Sequence, residues 1–158
     1  MKKILISLLL GAAMLTTGCT QAKDIGKINN IDNKVEENIG AEGDIKKIRK
    51  DGIKYIDSFL KVNLSDCYDG YYADENGITI NFVDDGIVEL LEADEELYEK
   101  FVELNMNVCK QVGDILKADK NYFICITYTD RHKEGDKTFT NTFFIITDGE
   151  ITYNKIKN

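Results

Sequence analysis

Residues 94–117 constrain the fold of this chain more than any other segment. Leu97, Phe101, Leu104, Val108, Val112 and Ile115 recur every three or four positions. On an α-helix that spacing gathers them into one apolar stripe. Glu95, Glu96, Glu99, Glu103, Lys110 and Asp114 are among the polar residues elsewhere on the same segment. Its first turn is crowded with acidic residues, where the helix dipole favours negative charge. Such a helix must lay its stripe on an apolar surface, and the rest of the chain has to provide one.

Short alternating runs supply that surface. Tyr68–Ala73 and Gly77–Val83 read as strands joined at Asp74-Glu75-Asn76-Gly77, a strong turn signal. Asp84-Asp85-Gly86 marks a second turn. Ile87–Leu91 then reads as a third strand or as the lead-in to the long helix. Tyr122–Tyr128 and Phe139–Thr147 flank a charged tip at 130–137, and Asp148-Gly149 predicts a two-residue hairpin turn into a last strand. In that register Ile146 faces Ile151 and Phe144 faces Tyr153 on the core side. Phe143 and Ile145 then point to the other face, which is half apolar. Upstream, Asp44 predicts an N-cap, and Ile45, Ile48, Tyr55, Ile56 and Phe59 predict the buried face of a first helix ending before Asn63. Gly52 on that face predicts close approach of another element. The sequence therefore predicts an α+β domain over 43–158, an antiparallel sheet of five to six strands packed against two helices. The segments 77–86 and 142–149 echo each other, as hairpins generally do.

The N-terminus has a separate character. Lys2 and Lys3 precede an apolar run, Ile4–Leu15, and then Thr16-Thr17-Gly18-Cys19. A spanning helix needs about 20 apolar residues, so this run has the length of an export signal. It resembles the signal of bacterial lipoproteins processed by the lipoprotein signal peptidase, although Thr16 stands where leucine is commonest. The resemblance covers the signal and Leu15–Cys19 only. It implies cleavage after Gly18, a diacylglyceryl group on the Cys19 thiol, and a protein held on the extracytoplasmic face of a membrane without spanning it. Acyl chains contribute about 0.8 kcal/mol per buried methylene, so two chains anchor stably. Residues 19–42 then read as the lipidated cysteine and a polar tether.

Loss of residues 1–18 removes Lys2 and Lys3 and leaves 140 residues, with 18 basic against 28 acidic side chains, a net charge of −10. Nucleic acids and anionic lipid surfaces need a basic footprint, so this overall balance opposes both and suits a cationic partner or simple solubility. Four cysteines become three, Cys67, Cys109 and Cys125. An odd set cannot pair completely, and apolar surroundings predict reduced, packed thiols rather than a disulfide. No C-x-x-C pair occurs and His132 is the single histidine, so no metal site is predicted. No other cofactor is predicted, because a glycine-rich phosphate loop is missing.

Chemistry-bearing clusters are few. Asn81–Glu92 partly follows a calcium loop, but Val83 fills a ligand position and the preceding residues read as strand, which favours a plain hairpin turn. Asp130, Arg131, His132 and Glu134 combine acid, base and cation, yet read as a solvated tip. Three serines, none in a nucleophile elbow, disfavour a serine hydrolase. Cys125 and His132 stand about 20 Å apart along an extended chain. Tyr68, Tyr71 and Tyr72, beside Asp66 and Asp69, form the candidate ligand-binding patch, with amphipathic rings suited to a peptide or sugar amine. The expected function is therefore a lipid-anchored extracytoplasmic binding or interaction domain with a protein or peptide partner in the cell envelope. Two alternatives stand beside it. One is a small envelope enzyme using carboxylates such as Asp66, Asp69 or Glu92. The other is an assembly lipoprotein docking its half-apolar sheet face on a larger complex.

Overall fold

The computed structural model describes residues 39–134 and 136–157; the signal, Cys19 and most of the tether lie outside them. The elements are α1 (Ile39–Asn63), β1 (Tyr68–Ala73), β2 (Gly77–Val83), α2 (Ile87–Ala93), α3 (Glu95–Leu116), β3 (Phe123–Glu134), β4 (Lys137–Thr147) and β5 (Glu150–Asn154). One five-stranded sheet runs in the order β1-β2-β3-β4-β5. This is a mixed α+β fold, and among the described residues no helix is long and apolar enough to cross a membrane.

The sheet departs from the antiparallel expectation at one place. β2 and β3 are parallel, with Ile80 opposite Ile126 and Phe82 opposite Tyr128. The cause is the connection between them. Parallel neighbours need a crossover, and α3, about 33 Å long at 1.5 Å per residue, carries the chain back to the end of the sheet where β2 began. Residues 87–93 belong to that crossover as a third helix, not a strand. Ile87 and Leu91 are buried one helical turn apart, and Gly86 enters the turn at φ 89°.

All three helices cover one face. Ile78, Ile80 and Phe82 of β2, Ile126 and Tyr128 of β3, and Phe144 and Ile146 of β4 point into it. Phe82 stacks on Tyr128 at 5.0 Å between ring centres, and Phe101 of α3 meets Tyr128 and Phe144 edge-on at 4.9 and 5.1 Å. The Tyr128 hydroxyl donates to Asn105 Oδ1 at 2.8 Å, and Asn105 Nδ2 donates to the Phe101 carbonyl at 2.8 Å. The buried Tyr128 hydroxyl and Asn105 amide are thus paired, as burial requires, whereas the buried Tyr122 hydroxyl has no hydrogen-bond partner among the described residues.

Two bulges overturn the predicted facing of β4 and β5. The β3–β4 register shifts between Tyr128 and Thr129, so Phe143 has no partner and turns inward with Phe144. Ile146 does pair with Ile151, but the β4–β5 register shifts between Ile145 and Ile146, which puts Tyr153 opposite Ile145 instead of Phe144, and both Ile151 and Tyr153 are exposed. A bulge inserts one residue and re-aims side chains on its strand. The charged tip is also shorter than predicted. β3 and β4 continue pairing to Glu134 and Lys137.

α1 begins before Asp44, and its buried row is rotated. Ile56 and Leu60 face the sheet, with Ile53 packed beside them, whereas Ile48 and Tyr55 are 41% and 43% exposed. Gly52 does mark a close approach. A Cβ there would stand 2.7 Å from Leu116 Cδ2.

Candidate functional site

A groove of about 760 Å³ opens at the end of the sheet where β2 and β3 begin. It lies between the last turns of α3, the loop into β3 and the β4–β5 turn. Local sequence fixes each wall. Lys117 ends α3 in the left-handed backbone region at φ 52°. Asp119 Oδ1 accepts from the Asn121 amide at 2.8 Å, and Asp119 Oδ2 lies 3.6 Å from the Arg49 guanidinium, which itself stacks over Tyr122 at 4.0 Å. On the facing wall, Asp148 and Gly149 turn with φ 53° and 83°, as a two-residue hairpin demands. That turn is clamped to β3: the Ile124 amide donates to Asp148 Oδ1 at 2.7 Å, and the Asp148 amide donates to the Ile124 carbonyl at 2.8 Å.

These bonds decide the groove's electrostatics. Both of its carboxylates, Asp119 and Asp148, are engaged by the protein. Among the described residues, the two lysines in its lining, Lys110 and Lys120, make no ion pair. Asn76, Asn107 and Asn121 line it with exposed side chains, and Phe123 offers an exposed ring edge. In an acidic chain the recess is thus charge-balanced, two lysines against two aspartates, and rich in amides. Cys109 lies on its wall, buried, with its thiol pushed up to about 12 by burial, so it stays protonated at neutral pH.

The tyrosine patch is dispersed. The Tyr68 hydroxyl donates to Asp57 Oδ1 at 2.9 Å and its ring packs on Phe82, tying β1 to α1. A bulge at Gly70 separates it from Tyr71, which pairs with Ile80, while Tyr72 pairs with Thr79. Tyr71 and Tyr72 therefore project from opposite faces of an edge strand, and Tyr72 is 65% exposed. Tyr72 shares the sheet's other face with Thr79, Cys125 and Thr147 along one row, and with Asn81 and Thr127, whose side chains are hydrogen-bonded at 2.7 Å. The described helices all pack on the opposite face.

Other sequence candidates scatter. Asp66, Asp69 and Glu92 are exposed on separate elements, with Asp69 3.8 Å from Arg131. The stretch 81–92 is strand, turn and helix, and no metal-binding group of three His, Cys, Asp or Glu side chains occurs among the described residues. Cys67, Cys109 and Cys125 are unbridged. Cys125 and the His132 position share one extended strand, which holds them apart.

Sequence reasoning missed Asp84. Only 6% of it is exposed, at the end of β2 remote from the groove. Burial, then the adjacent Asp85 and nearby Asp130, pushes its carboxyl up to about 6. Such a group exchanges a proton near neutral pH. Its signal was the turn Asp84-Asp85-Gly86, where only one of the two acids has to face inward.

No family model, curated protein or solved structure matches the chain.

Proposed function

We propose that this protein is a lipid-anchored binding domain on the extracytoplasmic face of a membrane, and that it takes a small, polar, negatively charged ligand in the groove beside Lys110 and Lys120. The anchor rests on the Lys2–Cys19 signal. The ligand class rests on one observation: each of the groove's acids has a partner within the protein, while Lys110, Lys120 and the asparagine amides are exposed in its lining without one among the described residues. Hydrogen bonds to charged groups are the stronger kind, and they suit a carboxylate or phosphate. Calorimetric titration of the protein with soluble, carboxylate-bearing cell-wall fragments tests this. Each of Lys110→Gln and Lys120→Gln should weaken binding by roughly tenfold, the value of one charge-assisted hydrogen bond. Binding indifferent to both variants contradicts the reading.

Asp84 favours a second reading, a carboxylate-dependent envelope enzyme. It is buried, and the charges of Asp85 and Asp130 act with burial to push its carboxyl up to about 6. Mass spectrometry of envelope polymers incubated with the protein should then show a new product that Asp84→Asn does not make. Absence of any product removes this reading and leaves the groove untouched.

A further inference from the structure

The outward side of α1 carries an apolar row that stays exposed among the described residues. Ile48, Tyr55 and Val62 repeat every seventh residue, which aligns them along one helix edge, and they are 41%, 43% and 80% exposed. Phe59 is half-buried beside them, 6.3 Å from Tyr55 between ring centres. The inward side is already committed to the sheet through Ile56 and Leu60.

Charge indicates what covers this row. The chain is acidic, but α1 holds six cations, Lys46, Lys47, Arg49, Lys50, Lys54 and Lys61, against the four acids Glu42, Asp44, Asp51 and Asp57, with Arg49 already paired to Asp119. Lys47, Lys50 and Lys54 are exposed on the outer surface a quarter turn or more from the apolar row, whose immediate helical neighbours include the exposed acids Asp44 and Asp51. Asp57, the following acid, is bound by Lys61 at 2.7 Å and by Tyr68 at 2.9 Å. Position in the chain adds a second argument. Only residues 20–38 separate Cys19 from α1. Fully extended, they reach about 65 Å, so a lipid on Cys19 confines α1 near the bilayer at high effective concentration.

We propose that α1 lies on the anionic surface of the membrane that holds Cys19, with Ile48, Tyr55 and Val62 entering the headgroup boundary and the lysines meeting lipid phosphates. This rests on the anchor reading given above. Acyl chains and a basic amphipathic helix are the two kinds of signal that together orient a peripheral protein. The orientation has a consequence. α1 belongs to the helical layer, so its docking turns the sheet face that no described helix covers, with Tyr72 and Thr127, away from the bilayer.

The chain has no tryptophan, so single indoles report position. The full chain carrying Tyr55→Trp is reconstituted on vesicles of phosphatidylglycerol and phosphatidylcholine, beside a Tyr153→Trp protein. Emission of the Tyr55→Trp protein should shift to the blue and be quenched by brominated lipid, while that of Tyr153→Trp should not. Replacing Lys47, Lys50 and Lys54 with glutamine should weaken docking by about fivefold per lysine. An indole that stays in water in the Tyr55→Trp protein overturns the proposal. So does an indole buried without vesicles in a particle of twice the mass, which assigns the row to a second copy. Intact mass reads the lipid on Cys19 independently. A bare Cys19 with a vesicle-buried indole leaves α1 docking standing and removes the anchor; a lipidated Cys19 with a water-exposed indole does the reverse.

Discussion

Tyr128 shows how single residues set this core. It is fully buried among Phe82, Phe101, Phe143 and Phe144, and its hydroxyl has one partner, Asn105. Tyr128→Phe keeps the ring and orphans the Asn105 oxygen. Denaturant unfolding should show a loss of about 1–3 kcal/mol, the cost of an unsatisfied buried acceptor. Asp84 acts in the opposite sense. Its carboxyl is raised from 3.8 to about 6, so between those limits the folded protein holds a proton that the unfolded chain has released. Stability contributed at this site is therefore present at low pH, falls as pH rises from about 4 to about 6, and is flat above. Thermal melts of Asp84→Asn should gain about 2–3 kcal/mol at pH 7 over the parent and lose that slope. A parent and variant with parallel pH profiles would contradict the burial. Neither residue was legible in the sequence. Tyr128 reads as one strand residue among many, and an aspartate in a turn reads as solvated until tertiary packing closes over it.

Among the elements, α3 was legible almost to the residue, because one stripe and one cap leave no alternative. Asp94 accepts from the Leu97 amide at 3.0 Å, as its position before the acidic first turn implies. α1 was harder. Its apolar residues form two overlapping rows, and periodicity fixes the helix without saying which row faces the sheet. Gly52 resolves it in the structure, since only that side approaches α3. Gly52→Ala should destabilise by about 1–2 kcal/mol, because overpacking against Leu116 and Ile115 outweighs the gain in helix propensity. An unchanged urea midpoint would mean the helices can separate freely. The parallel β2–β3 pair was illegible for a related reason: Ile87–Ala93 carries apolar residues that satisfy both strand and helix periods, and choosing strand removes the crossover. The bulges at Phe143 and Thr152 leave no mark in alternation, since one inserted residue simply reverses the pattern after it. The groove was invisible for a stronger reason. Its walls come from α3, the α3–β3 loop and the β4–β5 turn, which only the folded sheet brings together.

At the scale of the whole molecule, charge and address belong together. Net charge is −8, yet cations gather on α1 and beside the groove. A uniformly acidic surface would keep the domain away from anionic lipid, whereas this distribution is what the proposed membrane-facing side and ligand groove rest on, beside a sheet face that no described helix covers. The address proposed for the protein rests on the reading that the chain is held at a membrane through Cys19. Fractionation of cells expressing the full chain or Cys19→Ala tests that claim most directly. The parent should sediment with membranes through a high-salt wash and dissolve only in detergent, while Cys19→Ala should leave with the wash, because the contact proposed for α1 would by itself be reversible and salt-sensitive. Equal retention of Cys19→Ala in the washed membranes would contradict the account.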